Sequence, residues 1–176
     1  MTQRVLLERD VPTAEAMHQI GLALGAVLAA GDLVVLTGPL GAGKTTLSRG
    51  IGEGLGVVGT VASPTFVIAR THKLAGSRDL AGGGQAPDLA PQTVLVHVDA
   101  YRLTSLQEFD DLDIDLASSI TLVEWGRPFV DDLAASWLDI EIERDHTGAT
   151  ENRHIVITGF GPRWHAVTLD ARAHHA

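Results

Sequence analysis

Eight consecutive residues, Gly38-Pro39-Leu40-Gly41-Ala42-Gly43-Lys44-Thr45, satisfy the pattern G-x-x-x-x-G-K-[ST] in full. Each residue type answers a physical need of a bound triphosphate. Glycines at 38, 41 and 43 let backbone N–H groups turn inward, where a Cβ would clash, and so form an anion nest. A helix beginning just after them presents its positive end and its free N–H groups to the same phosphates. Lys44 would set its ammonium against the β- and γ-phosphates, the Thr45 hydroxyl would ligate Mg²⁺, and Thr46 would touch the α-phosphate. The expected nucleotide-binding set is therefore Gly38, Leu40, Gly41, Ala42, Gly43, Lys44, Thr45 and Thr46, with ATP and Mg²⁺ as the cofactors. A match of this length arises by chance in under about 1% of chains this long at average residue frequencies. The bland alternative is a glycine-rich strand-to-helix turn with an incidental lysine.

Such a loop needs a carboxylate at the end of a neighbouring strand to hold Mg²⁺ or its waters. Val94-Leu-Val-His-Val-Asp99 delivers Asp99 at the end of an apolar strand, and Ile120-Thr-Leu-Val-Glu124 delivers Glu124 in the same way. Both strands are expected to lie beside the loop's own strand, so that Lys44, Asp99 and Glu124 form the catalytic set and Thr45 and Glu124 the metal side. The competing readings are a strand-end turn or helix cap for Asp99 and an ion pair with Arg127 for Glu124. His97 shares a face with Asp99 by the two-residue period of a strand, and its ordinary reading is a hydrogen-bonded core histidine.

These groups need a scaffold, and the rest of the chain supplies one. Arg4–Glu8 reads as a short strand, and Pro12-Thr13 opens a helix carrying Met17, Ile20, Leu24, Val27 and Leu28 on one face, with Gly31 as its stop. Leu33–Leu36 is a continuous apolar run of the kind buried on both faces in a parallel sheet. A helix follows from Thr46 to Leu55. Phe66–Ala69, Val94–Val98 and Ile120–Val123 read as further strands, and Ser105-Leu106-Gln107-Glu108 has the spacing of a capping box. Leu138–Glu143, Asn152–Thr158 and His165–Leu169 alternate, which predicts an antiparallel part completing a mixed sheet. The expected architecture is a single α/β domain over 1–176, mostly parallel and flanked by helices. Lys73–Gln92, with Gly82-Gly83-Gly84, is expected to be a mobile insertion, and 171–176 a tail.

Composition bounds the function from outside. Twenty-two acidic and 13 basic residues give a formal net charge of −9, and no basic run forms the footprint of an autonomous nucleic-acid binder. The absence of cysteine excludes disulfides, zinc–thiolate sites and cysteine nucleophiles. No apolar run is long enough to span a bilayer, and the N-terminus lacks the basic and apolar regions of an export signal. A cytoplasmic address without membrane contact is expected.

Four blocks in order sharpen this reading: the loop with Thr46 and Ser48-Arg49-Gly50; Ser63-Pro64-Thr65-Phe66; His97-Val-Asp99-Ala-Tyr101-Arg102-Leu103; and Val123-Glu124-Trp125. Together they resemble the TsaE (YjeE) family, the P-loop ATPases of bacterial tRNA threonylcarbamoyladenosine synthesis, over about Thr13 to Arg153. The resemblance implies ATP hydrolysis that supports repeated turnover of a complex with TsaD and TsaB, which modifies the adenosine next to the anticodon. It implies that tRNA is met through those partners rather than directly. It also implies a metal side at Thr45 and Glu124, a Walker-B-like role for Asp99 and a γ-phosphate-sensing loop at Ser63-Pro64-Thr65. Trp125 would pack near the site or a partner, or simply in the core, and Thr13 and Arg153 would lie on the adenine side. Three positions depart from the family pattern. Pro39 replaces a frequent acidic residue, Asp113 stands where glycine is usual, and the Lys73–Gln92 stretch is longer.

Rival functions remain distinguishable. A small-molecule P-loop kinase would need an arginine-bearing lid, and the only candidate segment, Lys73–Gln92, carries one arginine, Arg78. A guanine-specific switch is excluded in its usual form because the sole asparagine, Asn152, is followed by Arg153. A non-catalytic ATP-binding module would differ only in tolerating loss of Asp99 and Glu124.

Overall fold

The computed structural model describes residues 2–64, 66–75, 89–145 and 152–169. It contains strands β1 (Gln3–Val11), β2 (Leu33–Thr37), β3 (Ala69–Lys73), β4 (Val94–Asp99), β5 (Ile120–Glu124), β6 (Trp137–Arg144) and β7 (Arg153–Phe160). Helices α1 (Ala14–Gly25), α2 (Lys44–Gly54), α3 (Leu106–Asp110) and α4 (Val130–Leu133) surround them, with 3₁₀ turns at Ala100–Arg102 and Pro162–Trp164. One sheet carries all seven strands in the order β1-β7-β6-β2-β5-β4-β3. β2 runs parallel to β5 and β6, and β4 runs parallel to β5. β7 is antiparallel to both β6 and β1, and β3 to β4. Only β7 and β3 therefore oppose the common direction, which makes the sheet mostly parallel.

The apolar run of β2 is explained by this central place. Val34 and Leu36 pack into the core under α1 and α2, while Leu33 and Val35 pack on the opposite face with Phe109 and Val130. A strand covered on both faces has no solvent side to keep polar.

Helix α1 starts where expected, its N-cap Thr13 accepting a hydrogen bond from the Ala16 N–H at 3.1 Å. It ends at Gly25, short of Gly31, because the Asp32 carboxylate accepts the Ala29 N–H at 2.8 Å and tightens the following turn. Leu28 still reaches the core. Helix α2 begins at Lys44, two residues earlier than Thr46. The two helices touch backbone to backbone. A Cβ added at Gly21 would lie 2.5 Å from the Leu47 carbonyl oxygen, and one at Gly50 would lie 2.3 Å from that of His18. Gly25 and Gly54 repeat the contact one turn on, each with a carbonyl oxygen 2.5 Å from the added Cβ. Only hydrogen fits along this seam.

Several expectations need correction. β4 does not border β2, since β5 lies between them; adjacency in a parallel sheet is set by crossover connections that periodicity does not encode. The strand expected at Phe66–Ala69 begins only at Ala69. Val67 and Ile68 both donate to the Pro64 carbonyl at 2.8 Å, so that segment is a turn, and it leaves Phe66 95% exposed. The antiparallel part exists as β6, β7 and β1, but its third strand comes from the N-terminus. His165–Leu169 is irregular, held by a buried Trp164 and by Arg163, whose guanidinium clamps Asp32 at 2.9 and 3.0 Å and the Val27 carbonyl at 2.9 Å. Of the expected insertion, Lys73 closes β3 and Leu74 bridges to Val57, whereas 76–88 lie outside the described residues, as do Thr65 and the expected tail.

Ser105 caps α3 as its spacing implies, accepting the Glu108 N–H at 3.3 Å. The return arm differs, because Glu108 accepts from the Thr104 N–H at 2.7 Å. Asp113 holds φ +51, the region that glycine favours and that aspartate tolerates better than most residues.

On the outer face of β1 and β7, His154 contacts Asp10 at 2.9 Å and Glu8 at 3.5 Å. The hydrogen bond to Asp10 raises its pKa above the usual 6.5, aided by both carboxylate charges. A raised histidine stabilises the fold below its unfolded pKa and loses that contribution as pH rises through the folded one. His154→Gln should therefore lower the urea midpoint at about pH 5.5 and change it less at about pH 8.5, toward which the contribution is lost. Equal shifts at the two values would refute the linkage.

Candidate functional site

The site lies where open parallel sheets place ligands, beyond the carboxyl ends of the strands. β2 ends at Thr37, and the loop to α2 curls back over the sheet. Gly38 passes close enough to β6 that a Cβ there would sit 2.6 Å from the Ile142 carbonyl oxygen. Gly43 caps α2 at φ +113, a conformation that L side chains resist, and no side chain caps this terminus. The first turn of α2 opens toward a cleft of about 610 Å³ lined by Gly41, Lys44, Thr45, Thr46, Asp99 and Glu124, among others.

Sheet register brings the charged groups together. Leu36 pairs with Glu124 and Glu124 with Asp99, so the two carboxylates stand side by side at the ends of β5 and β4. Both are buried, as is Lys44. The Lys44 ammonium donates to the carbonyls of Gly38 at 2.7 Å and Pro39 at 3.2 Å. Burial holds its pKa below the usual 10.5, and the charges of Glu124 and Asp99 oppose that shift without cancelling it. Asp99 also accepts the Tyr101 N–H at 3.1 Å, so the capping reading and the cleft-lining one hold together.

Not every expected loop residue faces the cleft. Leu40, Gly41, Gly43, Thr45 and Thr46 line it, but Gly38 and Ala42 are outside the lining. Gly38 serves by its carbonyl, and Ala42 is fully buried with its N–H donated to Pro39 at 3.1 Å. Ser63 also lines the cleft. Thr13 is spent on capping α1, while Arg153 donates to the Gly41 carbonyl at 3.4 Å. Arg127 turns away to Asp139 and Glu141, so it pairs on the sheet rather than with Glu124.

Two residues have partners that the sequence did not reveal. Trp125 adopts φ +63 directly after Glu124, held by its N–H on the Leu36 carbonyl at 2.9 Å. That bend brings its ring under Lys44, with Nζ 4.7 Å from the centroid, and Tyr101 meets it edge-on at 5.6 Å. Trp125 is thus a cleft residue. The second is His97, fully buried, with Nε2 3.0 Å from Oε1 of Glu124. The shared strand face signalled its side but not its partner.

The fold is a mixed α/β sheet flanked by helices, with a glycine-rich turn, a buried lysine and two strand-end carboxylates at the carboxyl ends of its strands. Comparison with known proteins narrows the class. The family model described as "Threonylcarbamoyl adenosine biosynthesis protein TsaE" matches residues 11–155. A TsaE protein of Streptomyces coelicolor is 49% identical over 152 residues, covering 84% of this chain and 93% of the relative. Another from Bacillus subtilis is 33% identical, covering 82% and 80%. The crystal structure of Bacillus subtilis YdiB superposes with a TM-score of 0.68 at 27% identity, covering 93% of this chain and 91% of that one. The chain belongs to the TsaE family.

Proposed function

We propose that this protein is the Mg²⁺-dependent, ATP-hydrolysing subunit of a cytoplasmic system that makes threonylcarbamoyladenosine in tRNA, working with TsaD and TsaB. One observation carries the proposal: strand register sets Asp99 and Glu124 side by side across a cleft from Lys44 and the open terminus of α2. The residues fit the group. The α2 terminus has no side-chain cap, and hard carboxylate and hydroxyl oxygens suit Mg²⁺. When bound, Mg²⁺ supplies charge neutralisation on the phosphates. Thr45 and Glu124 would hold it, with Asp99 beside them.

Catalysis by such a site is positioning and electrostatics rather than covalent chemistry. Lys44 and the N–H groups of the loop bind the phosphates and stabilise charge that develops on them. Glu124 or Asp99 orients the attacking water. The family names support the tRNA role, and no helix among the described residues is long and apolar enough to cross a membrane. No observation among the described residues favours a small-molecule kinase, whose lid candidate, Lys73–Gln92, has its one arginine, Arg78, outside them.

The test is phosphate release from ATP by the parent chain and Glu124→Ala, each alone and with TsaD and TsaB of the same organism. Slow release alone, dependence on Glu124 and a changed rate with the partners are expected. Release indifferent to both Glu124 and the partners would sink the assignment.

A further inference from the structure

The buried pair of His97 and Glu124 has an asymmetry that bears on the reaction. His97 has no solvent exposure, and its two ring nitrogens differ sharply: Nε2 is 3.0 Å from Oε1 of Glu124, whereas Nδ1 is buried with no hydrogen-bond partner. A buried N–H without an acceptor is costly, and a bare ring nitrogen is the less demanding occupant of such a place. The hydrogen therefore belongs on Nε2, which donates to the carboxylate. Glu124 lines the cleft from the end of a central strand, and its side chain is partnered by His97.

We propose that His97 is a positioning residue: its Nε2–H holds one oxygen of Glu124 and so fixes the plane of the carboxylate, leaving the other oxygen for the metal and its waters. This rests on the role proposed above for Glu124. Without the bond, a glutamate rotates about its last torsion through a broad, roughly two-fold well. The plane of the carboxylate would then sweep across that well, and the direction in which it faces the reacting centre would no longer be fixed. Partners of this kind, one bond removed from a metal ligand, typically change activity or metal affinity 10–100-fold when removed. The sheet provides the reach. His97 sits two residues before Asp99 on the same face of β4, and Asp99 is the register partner of Glu124, so the ring approaches the carboxylate diagonally across adjacent strands.

The experiment pairs spectroscopy with kinetics. In ¹⁵N-histidine-labelled protein, His97 should show a protonated Nε2 and a bare Nδ1, and the Nε2 signal should move in Glu124→Gln. A protonated Nδ1, or a signal that ignores Glu124, overturns the proposal whether or not the chain hydrolyses ATP. In phosphate-release assays, His97→Leu should lower kcat about 10–100-fold with KM for ATP within about threefold, and raise the Mg²⁺ concentration needed for half-maximal rate. His97→Gln, whose amide nitrogen replaces Nε2, should recover most of the loss. A His97→Leu chain as active as the parent, or a His97→Gln chain no better than a folded His97→Leu, refutes positioning. If Glu124→Ala itself retains full activity, the reading of the site fails instead, and the two failures are distinguishable.

Discussion

A Gly50→Val chain is expected to unfold far below the parent, with the melting temperature lowered by roughly 6–12 °C or the fold lost outright. Its Cβ alone would stand 2.3 Å from the His18 carbonyl oxygen and 3.0 Å from the Gly21 Cα. The obstacle is helix backbone, which cannot rotate away as a side chain could, so α1 and α2 must move apart. Overpacking of a closed interior commonly costs about 1–3 kcal/mol, and a backbone obstacle belongs at the upper end or beyond. At about 2–4 °C per kcal/mol for a chain of this size, that gives the stated drop. Gly59→Ala is the internal control. Its added Cβ meets nothing within 4 Å, and only its φ of +89 opposes the change, which amounts to about 1–2 kcal/mol. Thermal unfolding of the two variants side by side checks the order. A Gly59→Ala chain that melts below Gly50→Val would refute the seam as the tighter constraint.

Lys44→Ala is expected to be the most damaging change to activity. If the cleft holds a triphosphate, Lys44 is the buried cation nearest the loop, and its removal leaves Asp99 and Glu124 facing the phosphates without it. Loss of a single preorganised donor to developing charge typically lowers rates about 10²–10³-fold. The nucleotide affinity should fall too, since the ammonium attracts the phosphates before as well as during reaction. Titration with a fluorescent ATP analogue and single-turnover phosphate release separate the two effects. A folded Lys44→Ala chain that keeps both affinity and rate within about threefold would remove the triphosphate from the cleft.

Much of this site is readable from the chain. Gly38–Thr45 is contiguous, and its pattern is visible in the residue types alone, while Asp99 and Glu124 announce themselves as carboxylates ending apolar runs. What escapes is whatever depends on the order of strands. The placement of β5 between β2 and β4, and with it the direct pairing of Glu124 and Asp99, comes from crossovers rather than local pattern. The alternation in β6 resembled a half-exposed strand, yet Asp139 is buried on Arg127. The helix seam was available in principle. Gly21 and Gly25, like Gly50 and Gly54, are spaced by four and so share a helix face, but glycine in an apolar stretch reads first as an interruption. His97 could be placed on a side of its strand, and Trp125 near the site or in the core. Their partners required the third dimension.

The bonds from Lys44 to the carbonyls of Gly38 and Pro39 have a kinetic consequence. They run from the helix back into the loop that precedes it, so the curvature of the cradle is written in internal contacts and does not wait on an arriving polyanion. If the cleft takes a polyphosphate, encounter is an exchange of partners at one ammonium group, with little loop entropy left to remove. Association with such a site should be limited by diffusion and desolvation rather than by rearrangement, and differences in affinity among polyphosphates should appear in how long each one stays.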